Sequence, residues 1–204
     1  MTSRLFSYRT IQHPANGTYK EKGSKFFAFA YPVQTEAEIR ERLASLKKEY
    51  FDARHHCYAW VLGVDKKQHR SFDDGEPNHS AGDPILGQIR SKDLTDVLIV
   101  VVRYFGGIKL GVGGLIIAYR QAAEDALAHA AIVEKEVVVL VTIIYAYAAT
   151  PEVMRLVKEF SLTIVDQAFG QECTLCVEVR LRDQEKLLER LALLQATGSP
   201  LRFL

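Results

Sequence analysis

Two stretches of this 204-residue chain combine residue types that can do chemistry. The first is Arg103-Tyr104-Phe105-Gly106-Gly107-Ile108-Lys109-Leu110-Gly111-Val112-Gly113-Gly114, five glycines and a lysine behind the apolar run Leu98 to Val102. A strand that enters a glycine loop and then a helix start presents bare backbone N–H groups to an anion. Glycine permits positive φ and close approach. The loop is not a P-loop, which needs Gly-Lys followed by Ser or Thr, because Lys109 stands between Ile108 and Leu110. It also fails the dinucleotide fingerprint: the strand comes late in the chain and no acidic residue ends a following strand. Tight packing against the sheet is the alternative use of such glycines. The second stretch, Ser71 to Pro77, sets Asp73, Asp74 and Glu76 around Gly75. Clustered carboxylates hold Mg²⁺ or act as an acid–base pair, and they also cap N–H groups in turns. No nucleophile or dedicated metal-ligand pattern accompanies these three, which favours a structural or partner-binding role.

Weaker signals come from histidine and cysteine. In Arg54-His55-His56-Cys57, strand alternation puts His55 and Cys57 on one face and His56 on the other. A zinc site needs more converging ligands, and His13, His69, His79 and His129 lie at no zinc-like spacing. A cysteine–histidine nucleophile would lack a third orienting group. Cys173-Thr-Leu-Cys176 spells C-x-x-C inside an expected strand, so its sulfurs project to opposite faces, unlike redox motifs at helix starts. Tyr58 and Trp60 are able to stack bases, but core packing is the stronger reading. His129, late in an alanine-rich helix, reads as a surface residue. No residue is assigned a catalytic or metal-binding role, and no cofactor is expected.

The elements that hold these residues follow from periodicity. Two strands flank the turn at Lys20-Glu-Lys-Gly-Ser, with Phe27, Phe29 and Tyr31 on one face. A helix over 36–50 has Thr35 and Glu38 as a capping box and Ile39, Leu43, Leu46 and Tyr50 as its stripe. A strand over 56–62 precedes a polar loop over 63–82. Asp83-Pro84 reads as an N-cap and first residue of a short helix to Ser91. The strand before the glycine loop and a helix over 115–130 complete this half. From Val137 the order is strand, helix from Thr150-Pro151, strand to Phe169, hairpin at Gly170-Gln171, strand, helix capped by Asp183, and a last strand over 200–204. This βαββαβ order is ferredoxin-like. The fold class is therefore α+β, with domains at 1–134 and 135–204 and a stiff linker near 133–136.

Composition narrows the function. The chain carries 26 Lys plus Arg against 25 Asp plus Glu. Basic and acidic residues number 18 and 16 before Lys135, and 8 and 9 from there on, so neither half is a wholesale polyanion binder. Three cysteines suit a reducing compartment. The N-terminus lacks a signal-peptide core and no apolar run spans a bilayer. A cytoplasmic protein without membrane contact is expected.

Several of these segments together resemble one family. Lys22 to Phe26, Ala53 to Trp60, Ser71 to Pro77, Ala81 to Pro84 and Val101 to Leu115 are similar to motifs of the IMPACT family in its bacterial, YigZ-like form. The resemblance implies a first domain like the second domain of a small-subunit ribosomal protein and domain four of elongation factor G. The second half is similar to the family's ferredoxin-like domain by order of elements. Eukaryotic relatives regulate translation initiation by competing for an activator of the kinase that acts on initiation factor 2. Two positions depart from the family pattern: His79-Ser80 stands where Gly-Thr is usual, and Ile117 where a basic residue is usual.

The leading expectation is a non-catalytic protein that binds RNA, the ribosome or a translation-associated protein, and regulates translation. Its candidate nucleic-acid or anion face comprises Arg54, His55, His56, Arg103, Tyr104, Gly106, Gly107, Lys109, Gly111, Gly113, Gly114 and Arg120. Asp73, Asp74 and Glu76 form an acidic loop beside it. The alternatives are a metal-assisted hydrolase or transferase acting on a phosphorylated small molecule, with those carboxylates near Mg²⁺, and a protein-interaction module. The enzyme needs the carboxylates to converge in a pocket.

Overall fold

The computed structural model describes residues 5–204. They divide into two compact units, one of residues 7–135 and one of residues 5–6 with 136–204. The architecture is α+β throughout.

The first unit is built on a five-stranded antiparallel sheet in the order β2 (Ala15–Glu21), β3 (Ser24–Pro32), β6 (Val97–Tyr104), β4 (His55–Leu62), β5 (Gln68–Phe72). Alternation assigns its two faces. Phe26, Ala28, Ala30, Cys57, Ala59, Val61, Val97, Ile99 and Val101 pack under α2 (Gly82–Ser91) and α3 (Gly111–Ala128). The intervening residues Trp60, Leu62, Leu98 and Val100 pack under α1 (Glu36–Glu49) through Ile39 and Leu46. β6 is thus apolar at successive positions because both of its faces are covered. The small residues Ala118, Ala122, Ala123 and Ala126 bring α3 close to the sheet. At the N-terminus of α1, Thr35 accepts from the Glu38 N–H at 3.2 Å, while Glu38 reaches back to the N–H of Gln34 rather than of Thr35.

The structure departs from the sequence reading at several edges. β5 lies inside the stretch expected as a loop; it is short, polar and largely exposed, so it carries no apolar period. β1 (Ser7–Ile11) and β7 (Ile132–Glu136) form a separate two-stranded sheet where a stiff linker was expected around 133–136. Asp83 is not the N-cap of α2. It sits in the first turn and binds Ser71 at 2.6 Å and His79 at 2.6 Å. The capping is done from a distance by Asp73, whose Oδ1 accepts from the N–H groups of Ala81 at 3.0 Å and Gly82 at 2.8 Å. α3 begins at Gly111, four residues before the expected start, so Gly111, Gly113 and Gly114 form its first turn and only Phe105 to Leu110 remain as loop.

In the second unit, β8 (Val138–Tyr145), α4 (Thr150–Glu159), β9 (Thr163–Phe169), β10 (Cys173–Arg180), α5 (Gln184–Ala196) and β11 (Leu201–Phe203) follow in βαββαβ order. The sheet order is β11-β8-β10-β9. Val141, Ile143, Leu175, Val177 and Val179 pack with Val153, Leu156, Leu187 and Leu191 of the two helices. Cys173 is buried with this core and Cys176 is partly exposed. Asp183 precedes α5 without a side-chain capping bond, because its backbone is already helical at φ −101° and ψ −6°.

Candidate functional site

The candidate residues gather where the turn joining β2 to β3, the start of β4, the acidic loop and the β6–α3 loop come together. Gly106 fixes this meeting point. A Cβ there would lie 1.9 Å from the backbone carbon of Gly23, so only glycine lets the β6–α3 loop touch the β2–β3 turn. The Gly106 N–H also donates to Ser24 Oγ at 3.1 Å.

Arg103 does not offer a free charge on this surface. Its side chain is 7% exposed, and Nη1 donates to Glu76 Oε1 at 2.6 Å. Tyr119 of α3 donates to the same oxygen at 2.8 Å, and Cys57 Sγ lies 3.3 Å from the Tyr119 hydroxyl and 2.9 Å from the Asp73 carbonyl. The guanidinium also lies against the Phe26 and Phe105 rings, 5.5 and 5.7 Å from their centroids. Burial pushes the Cys57 thiol far up, so it is not a nucleophile at neutral pH. Burial likewise raises the Tyr119 hydroxyl, which stays protonated and donates. Tyr119 was invisible as a site residue in the sequence. Its one trace is a large, polar-tipped side chain on the alanine face of a helix.

The three acidic residues serve three separate purposes. Asp73 caps α2 and accepts from the His79 N–H at 2.9 Å. Asp74 Oδ2 accepts from the His56 N–H at 2.7 Å, and its carbonyl accepts from His55 Nδ1 at 2.9 Å. Glu76 neutralises Arg103. Among the described residues, no group of three or more His, Cys, Asp or Glu side chains converges as metal ligands. The mutual convergence that a Mg²⁺ site would need is missing from this loop, because each carboxylate is held by protein donors. His56 is buried, and burial lowers its pKa from the ordinary 6.5. His79 sits at φ +63°, a left-handed conformation that suits the glycine usual in the family pattern.

Arg54 and Lys109 are the exposed cations of the predicted set near the loop; Arg120 is exposed nine residues along α3 from Gly111. The N-terminus of α3 is uncapped by any side chain and has no acidic residue in its first turn. Lys109 stands one residue before the N-cap, Leu110. A Cβ at Gly113 would meet nothing within 4 Å. A hollow of about 320 Å³ at this helix start is lined by Arg103, Phe105, Lys109, Gly111 and Val112, among others. A second hollow of about 280 Å³ is lined by Asp52, Arg54, His55, Arg103, Tyr104 and Phe105. The Tyr104 hydroxyl donates to Asp52 at 2.6 Å, and that bond pushes its pKa up to about 12.

The family profile described as the Impact N-terminal domain matches residues 22–127, the stretch that contains all of these positions. The chain belongs to the IMPACT family. One relative, the IMPACT family member YvyE of Bacillus subtilis, is 39% identical over 132 residues, covering 65% of this chain and 61% of that protein. An IMPACT family member of Haemophilus influenzae is 35% identical over 153 residues, covering 72% of this chain and 73% of its own length. A crystal structure of a hypothetical protein is similar over 98% of both chains, with a TM-score of 0.77 and 28% identity. The family profile lies within the first unit, and the solved structure extends the likeness of fold to both.

Proposed function

We propose that this IMPACT-family protein is a non-catalytic, cytoplasmic RNA-binding regulator of translation that meets RNA phosphates at the start of α3. The observation that carries the reading is the composition of that helix end. Its N–H groups lack a side-chain cap, its first turn lacks a carboxylate, and Lys109 adds positive charge where the helix dipole is already positive. Glycine at position 113 weakens the helix and has no packing role inside the protein. Each of these is unfavourable in isolation, and an anion against the bare backbone offsets all of them. Family membership supports the translational role through the resemblance to ribosomal and elongation-factor domains, with 1–134 and 135–204 as the domains and the second ferredoxin-like.

Arg103 leaves the set of phosphate ligands because it is buried and its charge is paired with Glu76 through Nη1, and Lys109 with Arg54 becomes the working pair. A second reading, docking of a protein partner, is favoured by the exposure of Ile108 (57%) and Val112 (52%) beside the same helix end.

The test is co-sedimentation with ribosomes and with structured RNA across a salt series, comparing the natural protein with Lys109→Ala and Gly113→Ala. Gly113→Ala should raise stability by about 0.5–1 kcal/mol, the helix preference for alanine, while weakening RNA binding. Binding that weakens with salt, and weakens further in Lys109→Ala, supports phosphate contact. Absence of binding at low salt overturns the RNA reading, and salt-insensitive binding to a ribosomal protein would establish the docking reading in its place.

A further inference from the structure

On the sheet face covered by α1, the cover stops short of the strand ends. α1 finishes at Glu49, with Tyr50 as its C-cap. Above it, Leu98, Val100, Trp60 and Leu62 are sealed into the core. Beyond its end, the same face carries Phe27 and Tyr104 on adjacent strands, where Val102 faces Phe27 and Lys25 faces Tyr104. Phe27 is partly exposed there, unlike the buried side chains of the sealed region.

A cleft of about 560 Å³ opens there, lined by Gly23, Lys25, Phe27, Tyr50, Tyr104 and Phe105. The Phe27 and Tyr50 rings lie 27° from parallel with centroids 6.3 Å apart. Tyr104 meets Phe27 edge to face at 6.1 Å. Phe105 is 56% exposed although it is a large apolar residue. It also lines both of the hollows described above, so cleft and hollows share one ring as their common wall. Lys25 borders the cleft, Lys109 the hollow at the start of α3 and Arg54 the hollow beside Asp52.

We propose that this cleft takes an unpaired nucleobase of a single-stranded RNA. The inference rests on the RNA reading above and adds the part of the nucleic acid that is recognised. Aromatic faces stack any base, while cations on either side of the stacked base hold the phosphates before and after it. A path across Phe105 provides that alternation: base against Phe27, Tyr50, Tyr104 and Phe105, phosphates over Arg54 and Lys109. Base-paired RNA would present its phosphates to the cations but keep its bases inside the duplex, out of reach of the cleft. The bond from Tyr104 to Asp52 holds one ring of the cleft in place without ligand. The site is therefore largely formed beforehand, as stacking platforms need to be.

The test uses the full-length protein and an RNA of about ten nucleotides carrying one 2-aminopurine, in single-stranded and fully paired forms, with the matching DNA strand as a third probe. Binding is followed by anisotropy and stacking by 2-aminopurine fluorescence. The expected result is preference for the single strands, with 2-aminopurine quenched on binding. Phe105→Ala, at an exposed position, should lose roughly tenfold or more of single-strand affinity and most of the quench. Its duplex affinity and salt slope should stay unchanged, whereas Lys109→Ala should reduce the slope. Equal, salt-sensitive binding of single strand and duplex, with no quench and no effect of Phe105→Ala, overturns the base cleft and leaves the phosphate reading standing. Failure of all three probes to bind at low salt overturns both. A preference for the DNA strand overturns the assignment to RNA.

Discussion

Glu76 and Arg103 are the residues at which charge and burial conflict most sharply. Both lie in the interior beside Tyr119 and Cys57, and each makes the other tolerable there. A buried pair of this kind adds little net stability, but removing one charge strands the other in a low-dielectric site. Glu76→Gln should therefore cost about 3 kcal/mol or more, read as a lower urea midpoint with unchanged slope, whereas Asp74→Asn should cost much less. A Mg²⁺-binding role for Glu76 predicts the opposite result, since relieving repulsion between clustered carboxylates would stabilise the metal-free protein. His56 adds a second buried polar group, held neutral by its surroundings and hydrogen-bonded through its backbone to Asp74.

Among the elements, the β6–α3 connection does two jobs with one short segment. Gly106 locks it onto the β2–β3 turn, and Gly107, at φ +89°, reverses the chain so that α3 can start against the sheet. Replacing Gly106 by alanine forces two backbones apart. The expected cost is about 2 kcal/mol or more, measured by urea unfolding, with the aromatic cleft disrupted at the same time. Gly113→Ala is the contrasting substitution in the same connection, since the space around it is open and the helix gains. The pair separates glycines kept for internal packing from glycines kept for an external ligand, a distinction the spelling of the loop does not contain.

Across the whole molecule, a net charge of +1 provides no general attraction to a polyanion. On the proposed reading, affinity for RNA comes from the few cations around Phe105, chiefly Lys25, Arg54 and Lys109. Single-strand binding should accordingly show a shallow salt dependence, with log K against log salt falling at a slope of about −2, about 0.7 for each of three phosphates neutralised. A slope several times steeper, found in a salt titration, would mean that a larger basic surface outside this face is engaged. Among the described residues, no helix is long and apolar enough to cross a membrane.

Sequence and tertiary structure divide the determination of this protein along a physical line. Local periodicity and turn chemistry were enough for α1, with its Thr35 cap, for the buried run of β6, and for the βαββαβ order after Val137, because each element's apolar pattern reflects its own burial. The motifs around Arg54, Asp73 and Gly106 were legible as one family's signature. β5 and the β1–β7 pair were not, since short polar strands gain their hydrogen bonds from distant partners and leave no period of their own. The roles within the site were also decided only in three dimensions. Arg103 lost its free charge to Glu76, 27 residues away, and Asp73 capped a helix that Asp83 adjoins more closely in sequence. The aromatic cleft exists because α1 ends before the strands beneath it do. Burial, pairing and exposure are properties of neighbours in space, and a sequence orders only neighbours along the chain.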